Sequence, residues 1–287
     1  MRIGVHVSIA GGIDRAPARA HALQCESMQV FTKSNRQWAT QRITSRQYSS
    51  FRNQCTRYAI TPSIGHACYL LNIASPDTGL FQRSLKTLSI EIKRAARLGL
   101  TCIVLHPGAH VGTGVTAGLD RAASGLRSVL DLDAQNDNTN IALETTAGSG
   151  TSLGSSFEQL ACLIDLAEGH PRLGVCLDTT HIFAAGYDIR TRKAYNETMK
   201  RFDSIVGFDR LSAIHLNDSA TEIASRVDRH AHIGHGKIGS KAFRFFLTDD
   251  RLKHLPAVLE TPKEMNNETH WDVLNLITLR RLRKGSS

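Results

Sequence analysis

No two of the six cysteines stand at CxxC spacing, and no stretch of this 287-residue chain is apolar for long enough to cross a bilayer. The first absence leaves Cys25, Cys55, Cys68, Cys102, Cys162 and Cys176 as small buried hydrophobes in a reducing compartment. The second excludes a membrane span. The chain begins directly on the strand-like Ile3-Gly4-Val5-His6, without room for a signal peptide, so a soluble, cytosolic protein is expected. No GxGxxG follows that first strand, which argues against a doubly wound dinucleotide-binding sheet. Charged residues at 21% and a mean hydropathy of -0.21 exclude a disordered or fibrous class.

What is present is a full core and an excess of positive charge. At 41% hydrophobic content the chain can form one large α/β domain or two small ones. A net charge of +9 and a pI near 9.5 favour a polyanionic partner. Part of that excess is the C-terminal run Arg280-Arg281-Leu282-Arg283-Lys284, within a basic tail at about 280–287, which reads equally as a solvated helix end.

Apolar runs recur at a steady beat: Ile3–His6, Ser27–Phe31, Ser63–His66, Thr101–His106, Asn140–Glu144, Leu173–Asp178, Leu211–Leu216 and Ala257–Glu260. Their ends lie roughly 25 to 45 positions apart, the length of a βα unit. Helical patterns fill the gaps. Leu85, Leu88, Ile92, Ala95 and Ala96 share one face, with Gly99 as a stop. Ser155 or Ser156 caps a helix carrying Phe157, Leu160 and Ile164, and Tyr195, Met199, Phe202 and Val206 mark another. Eight strands alternating with helices predict a single-domain (β/α)8 TIM barrel spanning residues 1–287. Two segments break the beat, Thr32–Thr40 and the His-, Asp- and Gly-rich Asn217–Ser240. In a barrel both lie on the C-terminal face, where active sites form.

The strand exits carry the chemistry. Six successive strands end on His66, His106, Glu144, Asp178, His215 and Glu260, and His181, Asp228 and His230 enlarge the group. Three histidines and three carboxylates converging on one rim are untenable without cations among them. Imidazole with carboxylate suits zinc, and manganese or iron also fit. Nine ligands exceed the needs of one ion, since a catalytic zinc takes about three from the protein. A multinuclear site of this kind usually cleaves phosphoesters.

On these stretches the sequence resembles the endonuclease IV family of zinc-dependent apurinic/apyrimidinic (AP) endonucleases. The matching segments are Ile3–Ser8, Arg36-Gln37-Trp38, His66–Leu70, Leu105–Gly108, Leu143–Gly148 and Cys176–His181 with Phe183–Asp188. They continue with His215–Asp218, Asp228-Arg229-His230 and Leu259-Glu260-Thr261. The resemblance implies three zinc ions per chain, with manganese or iron possible at one or more sites. His66, His106 and Glu144 would hold the first. A bridging Glu144 with Asp178, His215 and Glu260 would hold the second, and His181, Asp228 and His230 the third. Glu144, Asp178 and Glu260 would be the catalytic carboxylates. It further implies hydrolysis 5′ to an abasic site in duplex DNA, leaving a 3′-hydroxyl and a 5′-deoxyribose phosphate, and trimming of blocked 3′ ends. The loop Arg36-Gln37-Trp38 would enter the minor groove with Tyr69 packed nearby, and Lys33 and Arg229 would contact phosphates. A monomer in the cytoplasm, associated with the nucleoid, is expected.

The chain departs from the family pattern at Ala231, at His235 within Gly234-His235-Gly236, and at Thr180 beside His181. His6 and His110 read as supporting or surface residues. Two rivals remain at this level. A xylose-isomerase-like sugar isomerase or epimerase would need only Glu144, Asp178, His215 and Glu260. A DNA-lesion binder without activity would have no reason to keep all nine ligands.

Overall fold

The computed structural model describes residues 1–132, 139–266 and 269–285. Eight parallel strands close on themselves: β1 (Arg2–His6), β2 (Ser27–Phe31), β3 (Ser63–His66), β4 (Cys102–Leu105), β5 (Asn140–Glu144), β6 (Leu173–Asp178), β7 (Leu211–His215) and β8 (Pro256–Leu259). Each pairs with the next and β8 returns to β1, the order of a (β/α)8 barrel. His106 and Glu260 therefore sit one residue beyond their strands rather than within them, as does Leu216.

Helices α1 (Ala16–Ala22), α2 (Ser45–Arg57), α3 (Thr78–Leu98), α4 (Val115–Leu132), α5 (Phe157–Leu166), α6 (Thr179–Ala185), α7 (Arg192–Ile205), α8 (Ser240–Leu247) and α9 (Trp271–Lys284) wrap the outside. Their ends follow local chemistry. Asp77 accepts from the Leu80 amide at the start of α3, and Gly99 ends it in a left-handed conformation at φ 76°. Ser156, rather than Ser155, caps α5 through the Gln159 amide. Phe157, Leu160, Tyr195, Met199 and Phe202 then pack inward, fully buried.

Inside the barrel, Ile64, Cys102, Val104, Ala142, Cys176, Ala213 and Val258 form a separate apolar layer. Side chains of a strand alternate faces, so the residue two places on points the same way. Ile64 is thus followed by His66, Val104 by His106, Ala142 by Glu144, Cys176 by Asp178, Ala213 by His215 and Val258 by Glu260. The apolar layer is a dry floor, and the ionisable residues form the layer directly above it. At the opposite end β1 and β2 approach so closely that a Cβ on Gly4 would lie 1.8 Å from the Ser27 carbonyl oxygen.

The basic C-terminal run is the last part of α9, and two of its cations close the base of the barrel. Arg283 forms paired bonds of 2.7 and 2.8 Å to the Glu26 carboxylate and a third to the Met1 carbonyl, while Arg280 donates to the Gln24 carbonyl. The alternative of a merely solvated helix end does not hold for these two. Among the described residues no helix is long and apolar enough to cross a membrane.

Candidate metal centre

The rim layer resolves into three sets of ligand atoms, each within 4.8 Å of one another: His66, His106 and Glu144; Glu144, Asp178, His215 and Glu260; Asp178, His181 and His230. In the first, both His66 Nε2 and His106 Nε2 face Glu144 Oε2, at 3.2 and 2.9 Å. In the second, His215 Nδ1 lies 2.9 Å from Glu144 Oε1 and 3.0 Å from Glu260 Oε2. Asp228, expected in the third set, stands beside it, with Oδ2 3.1 Å from His181 Nε2 and Oδ1 3.3 Å from His230 Nε2. All nine residues expected as ligands thus converge. Asp178 belongs to two sets rather than one, because α6 starts at once from β6 and returns His181 to the carboxylate that caps it.

The other nitrogen of each of four imidazoles is held by a protein oxygen. His66 Nδ1–H donates to the Ala67 carbonyl, His181 Nδ1–H to the Thr145 carbonyl, and His230 Nδ1–H to the Glu260 carbonyl. His215 Nε2–H donates to Gln29 Oε1 at 2.8 Å. Such bonds set the tautomer and aim the remaining lone pair, as around bound metals. His230 Nε2 is left buried without a hydrogen-bond partner. An orphaned nitrogen of that kind, with carboxylates on two sides, is what a metal ligand looks like from the protein's side.

The protein's own charges give the same answer. Burial pushes the Glu144 carboxyl upward, yet His215 and His106 hold it well below the usual carboxylate range. Glu260 is likewise pushed up by burial and held well down by His215. Burial lowers His181 and His215, but Asp178 on one side, and Cys176, Glu260 and Glu144 on the other, drive both imidazoles well above their ordinary value. Ionised carboxylates at this depth each cost several kcal/mol unless a positive charge lies beside them. A divalent metal ion would supply that charge in place of protonated imidazoles, and the donor set of imidazole and carboxylate fits one.

Several residues that sequence reasoning missed hold the ligands. Gln29, fully buried on β2, donates from Nε2 to Glu260 Oε1 at 2.6 Å and to His6 Nδ1 at 2.9 Å while accepting from His215. Asn217 donates to Asp178 Oδ2 at 2.7 Å and accepts from the Glu260 amide at 2.8 Å. A signal for Gln29 was available: it has the parity of Ser27 and Phe31 in a strand whose alternate residues, Met28 and Val30, are apolar. His6 supports Glu260, and His110 accepts from the Gly114 amide in its own turn.

The expected DNA residues differ in exposure. Arg36 and Gln37 are exposed, Tyr69 is 57% exposed, and Arg229 is exposed between Asp228 and His230. The Tyr69 ring stands edge-on to His66 at 5.4 Å. Trp38 is half-buried, with the Arg83 guanidinium over its ring at 4.4 Å, so it anchors the loop. Lys33 is 3% exposed, and its ammonium donates to the Ser34 and Gln37 carbonyls, so it braces the loop from beneath. Below it, α3 supplies Glu91 to the Thr32 hydroxyl and Arg94 to the Thr32 carbonyl. The loop is thereby preorganised. A cavity of about 1050 Å³ lies between this loop and the β1–α1 connection; it touches His6 but none of the nine ligands.

The departures fall outside the metal sets. Thr180 donates to the Asn217 and Asp218 carbonyls and ties α6 to the exit of β7. His232 turns away, stacked on Trp271 at 3.9 Å, and His235 stands edge-on to the same ring.

Comparison with known proteins agrees with this geometry. Residues 17–276 match the family model described as xylose isomerase-like TIM barrel. The chain is 45% identical over 285 residues to a protein of Chloroflexus aurantiacus named "Probable endonuclease 4", covering 99% of each. It superposes on the crystal structure of endonuclease IV from Thermus thermophilus with a TM-score of 0.87 at 35% identity, covering 99% of this chain and 100% of that one. A D-tagatose 3-epimerase-like protein shares the fold at 17% identity and a TM-score of 0.76, over 100% of this chain and 98% of its own.

Proposed function

The chain belongs to the endonuclease IV family, within the xylose isomerase-like TIM barrels, and on that premise we propose that it is an AP endonuclease carrying a trinuclear zinc centre. It would hydrolyse the phosphodiester 5′ to an abasic site in duplex DNA and trim blocked 3′ ends. The observation that carries the reading is the chaining of three ligand sets through two shared carboxylates, Glu144 and Asp178. A single-ion sugar epimerase would use the middle set alone and leave the outer two without a purpose.

His66, His106 and Glu144 would hold one zinc; Glu144, Asp178, His215 and Glu260 a second; and His181, Asp228 and His230 a third, whose two imidazoles each lie 3.8 Å from the Asp178 carboxylate. Zinc bound in this way supplies Lewis acidity to the phosphate and makes water a nucleophile near neutral pH. The reaction joins the water oxygen to phosphorus and breaks the P–O3′ bond, so the oxygen stays on the 5′-phosphate and a proton leaves with O3′. Glu144 and Asp178 keep neighbouring ligand sets together around the phosphate. Glu260, held by Gln29 and His215, is steadied as an ionised acceptor at the edge of the water-accessible rim. The dry floor below excludes water from beneath and strengthens each of these interactions. Arg36 and Gln37, on the loop that Trp38 anchors, and Tyr69, after β3, would meet a kinked duplex and fill the gap left by a flipped sugar. Arg229 offers an exposed cation beside the third set.

The test is a duplex carrying a tetrahydrofuran abasic analogue, with metal content measured on the same preparation. Cleavage 5′ to the analogue with close to three zincs per chain is expected. A fully loaded protein that binds the duplex without cutting it would overturn the reading.

A further inference from the structure

Two residues assigned above to the third metal, Asp228 and His230, come from the long connection between β7 and α8, whose residues 226–229 are all exposed. Little regular structure supports them. A two-residue antiparallel ladder, Asp218↔Ala231 and Ser219↔His230, ties the end of that arm to the barrel. The Asp218 side chain does not point at the metal sets; it is fully buried and faces the chain that follows the arm. Oδ1 accepts from the amides of Ser219, Ile238 and Gly239 at 2.8, 3.0 and 3.3 Å, and Oδ2 from those of Gly234 and Gly236 at 2.9 and 3.1 Å. Four of the five donors lie on residues 232–239, which contain no helix or strand. A buried carboxylate normally needs a cation, and here five N–H groups take that place. The approach is tight: a Cβ on Gly236 would lie 2.5 Å from Asp218 Oδ1. At the far end His232 stacks on Trp271, and the Ile233 amide donates to Asn275.

We propose that Asp218 is a positioning residue that gathers residues 232–239 onto β7 and so determines whether Asp228 and His230 are in place to complete the third metal set. Its negative charge is essential to this. An asparagine in its place could present one oxygen, but the amide nitrogen would meet two N–H donors head-on. The metal-binding consequence rests on the trinuclear reading above; the gathering of the limb does not.

The experiment uses the full-length chain and its Asp218→Asn variant, with zinc content and affinity measured by chelator competition and amide exchange followed on the metal-free proteins. In the variant, two zincs should remain, while the third binds about 10- to 100-fold more weakly and returns at raised zinc. Amides at 230–239 should exchange faster while those of the barrel strands do not change. A variant that keeps all three zincs at wild-type affinity, with unchanged exchange, overturns the proposal. If the variant fails to fold, the wild-type amides of Gly234, Gly236, Ile238 and Gly239 decide. Protection of at least about tenfold over an open loop supports the proposal, and exchange at open-loop rates overturns it. A wild-type protein with fewer than three zincs would remove the trinuclear reading, and metal-free exchange would still report whether Asp218 gathers the limb.

Discussion

Replacing Gln29 offers the sharpest test of how the metal centre is built. Its amide oxygen accepts from His215 Nε2–H, and its amide nitrogen donates to Glu260 at 2.6 Å. Gln29→Leu removes these bonds, together with the one to His6, at nearly constant volume. A hydrogen bond to a charged group contributes about 1.5–3 kcal/mol, and a buried donor left unpaired costs about 1–3 kcal/mol. Zinc on the middle set restrains His215 and Glu260 independently, so only part of this loss should reach the metal. An effect of about 1.4–2.7 kcal/mol is expected, which corresponds to a 10- to 100-fold weaker zinc affinity at that set. Chelator competition would measure it, with kcat on an abasic duplex as a second readout. Gln29→Glu gives the sign. A protonated carboxyl can accept from His215 and donate to Glu260 as the amide does, whereas the ionised form faces Glu260 as a like charge. Activity of that variant should therefore fall more steeply than wild type as pH rises. Unchanged zinc affinity in Gln29→Leu, together with a wild-type pH profile in Gln29→Glu, would refute the assignment.

Glu144→Gln should abolish cutting by removing the charge shared between two ligand sets, while duplex binding measured by anisotropy stays largely intact. Arg36→Ala should weaken binding to an abasic duplex by about tenfold at moderate salt, and an unchanged affinity would remove that loop from the interface. The Glu26–Arg283 pair should make stability depend on acid. Burial opposes ionisation of Glu26, but the Arg283 fork and the Ile3 amide hold its carboxyl down at about 2, from 4.5. A depressed folded-state value means that the stabilisation is complete above about 4.5 and is lost as pH falls toward about 2. Because the pair is partly solvated, about 1–2 kcal/mol is expected rather than the full linkage value. Denaturant midpoints of Glu26→Gln should lie below wild type at pH 7 and converge with it near pH 2.

Six of the nine ligands were legible because their positions follow from a local rule. Each stands two residues beyond an inward apolar side chain at a strand exit, and strand periodicity is a property of the backbone. His181 was legible for a similar reason, since a helix that begins on its own cap returns the residue three places on. Asp228 and His230 were recognisable as metal-capable side chains of a His- and Asp-rich loop, and resemblance assigned them to the third metal, but nothing local explains how an exposed arm brings them to His181. The role of Asp218 appears only when residues 234–239 fold back onto it.

The sequence by itself determined the barrel, the face that carries the chemistry and the identity of the metal-capable side chains, because alternation and strand–helix rhythm act within one segment at a time. Tertiary structure decided how those residues are shared. Asp178 serves two sets, Gln29 joins two ligands from a third strand, Lys33 lies beneath its loop instead of on it, and the basic C-terminal run closes the base of the barrel. Each depends on strand register or loop docking between segments far apart in the chain. Composition counts charges without saying which ones find a partner when the barrel closes.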